Sequence, residues 1–406
     1  MRGLINELIL YDTHWTILGP RFEDCEDVKD LKSLFPDWNA EAWAVNKKQL
    51  TYVEREGPID ANLFRYYWTP ELSGALASWL ESTEGDQRVI WSNIPELTGN
   101  ILQEIKPVKG SNVQDCVLIN SCYFLDSPIH PKTGVSRPMV DQAINWHRQV
   151  EGAFRADIAG FCCDGNRYQF FEGLRSTHAD YIVEEITKKS AVFRFGYSES
   201  ELDSIANSAE CKQIRKRIRD FVGERKLVVF PNRITNPDYT NGHVFLKAMR
   251  QLNEHDYVFY ATNPGEKYIT QKELEDLDEN YLRLKHGTLS RVEYVAVLAE
   301  ADMHASLFVE EANGGCACRE AMHLGSLPIM PYANEYTRLT GADYPGYIPY
   351  EGTTVSADEL SYAVTKVKDF EFDDFEFRHH VGSFRESSKE VIRELALVGV
   401  KLKLLK

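Results

Sequence analysis

The chain has 406 residues, 43% of them hydrophobic and 12% aromatic, which is enough for two domains with substantial cores. Its formal net charge of −16 argues against a surface that coats nucleic acid, because phosphate backbones attract clustered Lys and Arg; a local basic groove is still compatible with it. No apolar run reaches membrane-spanning length, and the start Met1, Arg2, Gly3, Leu4 carries no secretory pattern, so a soluble protein is expected; cysteines that read as reduced point to the cytoplasm.

Residues 20–85 are rich in aromatics, with Trp38, Trp43, Phe64, Tyr66, Tyr67 and Trp68 able to form a stacking platform for a sugar or base, or to serve as core and edge packing. Apolar runs at 89–93, 117–120, 158–162 and 191–195 read as parallel strands, and 75–80 and 139–154 as helices, giving an open α/β sheet. The segment after 117–120 sits at the carboxyl end of its strand, where such sheets place ligands; it carries Asp126 and His130. Asp164, Gly165 and Asn166 form a second loop that either lines a site or is a simple turn. Residues 200–222 read as a charged helical connection whose Lys212, Arg215, Lys216, Arg217 and Arg219 suit a solvated helix face. A second α/β series opens at Leu227, and the tail from 375 to 406 reads as helical.

The richest stretch runs from 303 to 330. The apolar run 303–309 reads as a buried parallel strand ending in Glu310 and Glu311. Asn313, Gly314 and Gly315 then leave the backbone free to approach a ligand, and a helix beginning near Cys316 turns its unpaired N–H groups toward that space, where an anion such as a diphosphate is favoured. Glu320, one turn in, is placed to accept hydrogen bonds from hydroxyls. The same residues also describe an ordinary strand–loop–helix connection whose carboxylates complement the helix dipole.

This stretch resembles the nucleotide-sugar signature of GT-B fold glycosyltransferases, above all the retaining family four, through Glu320, Ala321, Met322 and then Gly325, Ser326, Leu327, Pro328. Eight residues separate Glu311 from Glu320, one more than the family usually has, which leaves the choice between Glu310 and Glu311 open. Upstream, 226–233 resembles the strand that ends in a diphosphate-gripping Arg, here Arg233; 257–261 resembles the next strand, His286 to Ser290 the following corner, and 292–298 a helix. Where the family has a Lys before the helix-opening Gly, this chain has Asn241 before Gly242, with Lys247 or Arg319 as substitute cations. At the amino end, 4–10 and 14–20 resemble the first helix and second strand of the pattern, so the first strand and its glycine loop are expected to be missing.

The resemblance implies an α/β protein of GT-B type, two Rossmann-like domains facing a cleft: an acceptor domain over 1–200, a nucleotide-sugar domain over 201–375, and a helix over 376–406 crossing back to the first domain. It implies transfer of a hexose or pentose, with retention, from a nucleotide diphosphate sugar to an acceptor hydroxyl, without a cofactor or a metal. Glu311, Arg233 and His130 are the catalytic candidates. Glu310, Asn313, Gly314, Gly315, Cys316 and Glu320 are the nucleotide-sugar candidates, and Asp126 and Asp164 the acceptor-side ones. The acceptor is expected to be a glycan, or a modified pyrimidine in viral DNA received by the aromatic amino-terminal region, a partner the net charge does not support. A non-catalytic binding or scaffold protein on the same fold is the competing expectation. Dinucleotide, phosphate-loop and nucleophile-elbow motifs are absent; Gly196, Tyr197, Ser198, Glu199, Ser200 lacks the closing Gly of an elbow. The eight cysteines show no metal-ligand or disulfide spacing, Cys162 and Cys163 being adjacent and Cys316 and Cys318 one residue apart, which suits reduced thiols.

Overall fold

The computed structural model describes residues 15–18, 50–53, 70–82, 87–92, 95–109, 116–122, 140–194, 196–234, 240–263, 269–284, 289–309 and 315–400. The segment 4–10 therefore lies outside the described residues, as do the six aromatics singled out between 20 and 85. Two compact units divide the chain: Met1–Arg194 with Ser387–Lys406, and Phe195–Glu386.

In the first unit, β1 (Trp15–Leu18) pairs in parallel with β2 (Leu50–Val53). A four-stranded parallel sheet follows, made of β3 (Arg88–Ser92), β4 (Cys116–Cys122), β5 (Ile158–Phe161) and β6 (Ser190–Val192), lying side by side in chain order. The helices α1 (Pro70–Ser82), α2 (Thr98–Lys109), α3 (Val140–Arg155), α4 (Asp164–Thr177) and α5 (Asp180–Lys188) alternate with these strands. All seven residues of β4 are buried, as a central strand covered on both faces requires. Asp164, Gly165 and Asn166 do not form a loop: Cys163 caps them through Sγ, which accepts from the Asn166 N–H, and they are the first turn of α4. The acidic start and apolar positions Phe170, Phe171 and Leu174 explain the helix; the turn-forming residue types concealed it.

In the second unit the charged connection is two helices, α6 (Glu199–Asn207) and α7 (Ala209–Val222), because the Ser208 hydroxyl accepts from Cys211 N–H and starts a new helix. Arg215 and Arg219 of α7 both pair with Glu300, at 2.6 and 2.9 Å. The sheet contains β7 (Lys226–Arg233), β8 (Tyr257–Asn263), β9 (Met303–Ala305), β10 (Leu327–Pro331) and β11 (Tyr347–Ile348), all parallel, in the order β11-β10-β9-β7-β8. Helices α8 (Gly242–Met249), α9 (Gln271–Leu277), α10 (Arg291–Glu300), α11 (Cys316–His323) and α12 (Ala357–Val367) run between and after them. A short antiparallel pair, β12 (Tyr350–Glu351) and β13 (Thr354–Val355), precedes α12; the last described helix, α13 (Phe384–Leu397), belongs from Ser387 onward to the first unit. Across 375–383 the chain makes a turn of 3-10 helix at His379–Gly382 instead of the helix read from the sequence.

The chain leaves β7 toward β8 on one side and then crosses to β9 on the other. The crevice outside the carboxyl ends of β7 and β9 is therefore the switch point at which doubly wound sheets bind ligands. The predicted strand 303–309 is cut short there. Ser306 N–H still donates to Ile329 O, but the Leu307 carbonyl accepts from the side chain of Asn241.

Asn241 explains itself structurally. It is buried and left-handed (φ 57°), its Nδ2 donates to Leu307 O (2.9 Å) and Thr353 O (3.0 Å), and its Oδ1 accepts from Val355 N–H (3.3 Å). A Lys at this position loses all three bonds and tolerates the left-handed backbone less well than Asn. Asn241→Lys is expected to cost about 2–3 kcal/mol in urea denaturation, unpaired buried carbonyls being the main cause; an unchanged midpoint would show the stitch is dispensable.

Candidate functional site

Three described features converge on the β7/β9 switch point. Arg233 is the last residue of β7, exposed, and without an ion pair to any described residue. Helix α8 starts just after it, and α11 starts after β9; both begin from left-handed residues, Asn241 and Gly315, neither of which caps its helix with its own side chain. The positive poles of both helix dipoles and the cationic Arg233 thus fall at the carboxyl ends of neighbouring strands, a setting for an anion. Gly315 (φ 66°, ψ 44°) has to be glycine on two grounds, its backbone and the Tyr336 ring that lies 3.0 Å from where a Cβ would stand.

Glu320 lies one turn into α11 with 14% of its side chain exposed. Arg291, first residue of α10, donates from Nη2 to its Oε1 at 2.7 Å, and the Tyr294 hydroxyl lies within the influence of the same carboxylate. Arg291 Nε reaches Glu201 of α6 at 3.0 Å, and the guanidinium stacks over the Tyr294 ring at 5.5 Å. Burial disfavours the Arg291 charge, but Glu320 and Glu201 more than offset it and raise its pKa. Burial, then the Glu320 charge, push the Tyr294 hydroxyl well above its usual range, so it stays a neutral hydrogen-bond donor.

Of the two substitute cations, Arg319 is turned away into the core. It is 1% exposed, its Nη2 donates to Glu335 at 3.1 Å, and Nη1 occupies the space a side chain at Gly382 would fill. Adjacent residues of a helix point about 100° apart, so Glu320 faces outward while Arg319 faces inward. Lys247 is exposed on α8, on a groove shared with His243, Leu246, Arg250 and Ile269. Cys316 opens α11 and is partly exposed. Glu310, Glu311, Asn313 and Gly314 lie outside the described residues, as do Asp126 and His130.

In the first unit, Asp164 is held by Arg194 at 2.7 Å, and Arg194 also pairs with Glu390 of α13, so the carboxylate helps fix the end of β6. A buried polar group at the carboxyl ends of β3 and β4 escaped the sequence reading. Gln149 donates to Glu96 (3.0 Å), Thr98 to Asn120 (2.7 Å) and Asn120 to Cys122 Sγ (3.3 Å). Burial, helped by the Glu96 charge, raises the Cys122 pKa and keeps it a thiol. An acidic residue between Pro95 and Leu97, directly after a predicted strand, was the available signal.

Fold and topology together define a GT-B type α/β protein, the class of fold that the sequence motifs pointed to. Among solved structures the chain resembles HepE of Anabaena in complex with UDP and glucose (TM-score 0.55, 11% identity, 95% of this chain and 94% of that one). It also resembles the α,α-trehalose-phosphate synthase (UDP-forming) of Burkholderia xenovorans in complex with glucose-6-phosphate (TM-score 0.56, 13% identity, 86% and 87%). The N-terminal domain of the trehalose-6-phosphate phosphatase of Candida albicans is similar too (TM-score 0.61, 11% identity, 97% and 92%). No protein-family model and no curated protein matches the sequence. Among the described residues, no helix is long and apolar enough to cross a membrane.

Proposed function

We propose that the chain is a glycosyltransferase that moves a hexose or pentose, with retention, from a nucleotide diphosphate sugar to an acceptor hydroxyl, acting in the cytoplasm. The observation that carries the reading is the β7/β9 switch point, to which the topology brings Arg233 at the end of β7 and the amino ends of α8 and α11. UDP is the first nucleotide to test, since HepE of Anabaena has been solved with UDP-glucose and with UDP.

Breaking the sugar–phosphate bond leaves a nucleoside diphosphate whose growing negative charge must be met. Arg233 and the α8 and α11 dipoles supply that charge without a metal ion. Glu311 or Glu310 would hold the sugar hydroxyls, with Asn313 and Gly314 beside them, and Glu320 the ribose hydroxyls. On the acceptor side, Asp126, His130 and Asp164 of the first unit are the candidates, for a glycan or a modified pyrimidine in viral DNA. No enzyme nucleophile is assigned; the acceptor attacks from the face the diphosphate leaves, and that phosphate takes its proton.

Arg233→Ala is expected to weaken UDP binding by about 1.5–3 kcal/mol, the loss of a charge-assisted hydrogen bond. Calorimetric titration of UDP, GDP and CDP into wild type and variant checks this, and equal affinities in the two proteins would remove Arg233 from the site. A second reading, a non-catalytic nucleotide-sugar binding protein, is favoured by Asn241, whose side chain is committed to the fold where the family has a second cation. Slow hydrolysis of a bound nucleotide sugar, followed by release of free sugar, separates the two: the enzyme releases sugar and the binder does not.

A further inference from the structure

A carboxylate that reads a vicinal diol works best if both oxygens are in place before the ligand arrives, because ordering a free glutamate on binding subtracts from affinity. Glu320 is held in this way at Oε1 by the Arg291 guanidinium at 2.7 Å, with Tyr294 close to the same carboxylate. Arg291 is itself tied at several points. It opens α10, where the Ser290 hydroxyl and the Glu293 carboxylate form a reciprocal cap; its Nε is taken by Glu201, and its flat face lies on Tyr294. One guanidinium therefore ties α6, α10 and α11 together.

The charge of the group points to the kind of ligand. One cation shared by two carboxylates leaves a net negative centre that attracts hydroxyl donors and repels phosphate. Such charge favours a diol-bearing sugar ring beside it, with the diphosphate kept to the helix amino ends and Arg233.

We propose that Arg291, seated on the Tyr294 ring, is a positioning residue that sets Glu320 to read the ribose diol, and so determines the preference for ribonucleoside over deoxyribonucleoside diphosphates. The proposal rests on α11 being the nucleotide-binding helix of the proposed function. Arg291 contacts no substrate; it acts through the carboxylate.

The test titrates UDP and 2′-deoxy-UDP, with the guanosine and adenosine pairs alongside, into the full chain and its Arg291→Met, Arg291→Lys, Tyr294→Phe and Glu320→Gln variants. Glu320→Gln should shrink the ribo-to-deoxy preference. Arg291→Met should weaken the ribo form about ten-fold, the scale of one charge-assisted hydrogen bond, while the deoxy form changes by no more than about two-fold. Arg291→Lys should recover part of the preference, and Tyr294→Phe, which removes only a hydroxyl, should move it in the same direction as Arg291→Met. If Glu320→Gln loses the preference while Arg291→Met and Tyr294→Phe keep it, the positioning role falls and the nucleotide-binding helix stands. Equal weakening of both forms by Arg291→Met would reduce the arginine to a structural tie. An unchanged preference in Glu320→Gln overturns the proposal together with the reading of α11 on which it rests.

Discussion

Glu335→Ala is expected to destabilise the second unit by about 3–5 kcal/mol, one of the largest single-site effects the fold offers, because it leaves the Arg319 charge buried without its partner. Arg319 and Glu335 are each 1% exposed and sit 3.1 Å apart, and the Arg319 Nε and Nη1 atoms have no hydrogen-bond partner among the described residues. A pair so incompletely satisfied gains little over an apolar one of the same volume; what is costly is removing one member. The double variant Arg319→Met, Glu335→Leu should therefore recover most of what Glu335→Ala loses. Urea denaturation of the single and double variants measures both, and a double variant no better than the single one would mean the two side chains contribute by shape instead of charge. The effect reaches the site because Arg319 and Glu320 are neighbours on α11. The inward residue anchors the helix against Gly382 and Glu335 while the outward one meets Arg291.

Much of the second unit was legible because its signals are local. An apolar run, a glycine with left-handed backbone at Gly315 and a helix ended by Gly325 mark the β9 to α11 connection from sequence alone. Chain order then suffices to place Arg233 and Gly315 at neighbouring strand ends. What stayed hidden depends on contacts between residues far apart in sequence. Nothing near Asn241 announces that its amide spans to Leu307, Thr353 and Val355. Nothing near Arg319 announces Glu335 or Gly382, so a buried arginine looked like a spare cation for phosphate. Arg291 went unnoticed for the same reason, its partners Glu201 and Glu320 being 90 and 29 residues away. In the first unit the short polar segments misled in the opposite direction. Asp164, Gly165 and Asn166 have turn chemistry, yet Cys163 caps them and the apolar face behind them makes a helix.

Acid should loosen this platform through His304. The residue is fully buried in β9, its Nε2 3.3 Å from Cys318 Sγ of α11 and its Nδ1 3.1 Å from the Ser326 hydroxyl, so it clamps the strand to the helix on the face opposite Glu320. Burial lowers its pKa from 6.5 to about 3, a Ser326 hydrogen bond opposing only in part. The sign follows from the reference state. Above pH 6.5 the imidazole is neutral in both folded and unfolded chains and contributes no pH dependence. Below it, the unfolded chain takes up a proton that the folded chain refuses, so stability falls as pH drops toward 3, by about 1.4 kcal/mol per pH unit once well below 6.5. Between pH 7 and 5 that comes to about 2 kcal/mol, and on the order of 4–5 kcal/mol by pH 3. Carboxylates titrate over part of this range, so the comparison must be differential. His304→Gln keeps hydrogen-bonding capacity and cannot be protonated; it should be less stable than wild type at pH 7.5 and lose stability less steeply as pH falls, the two curves converging toward pH 4. Parallel curves from urea denaturation at each pH would show that His304 is not the group refusing the proton.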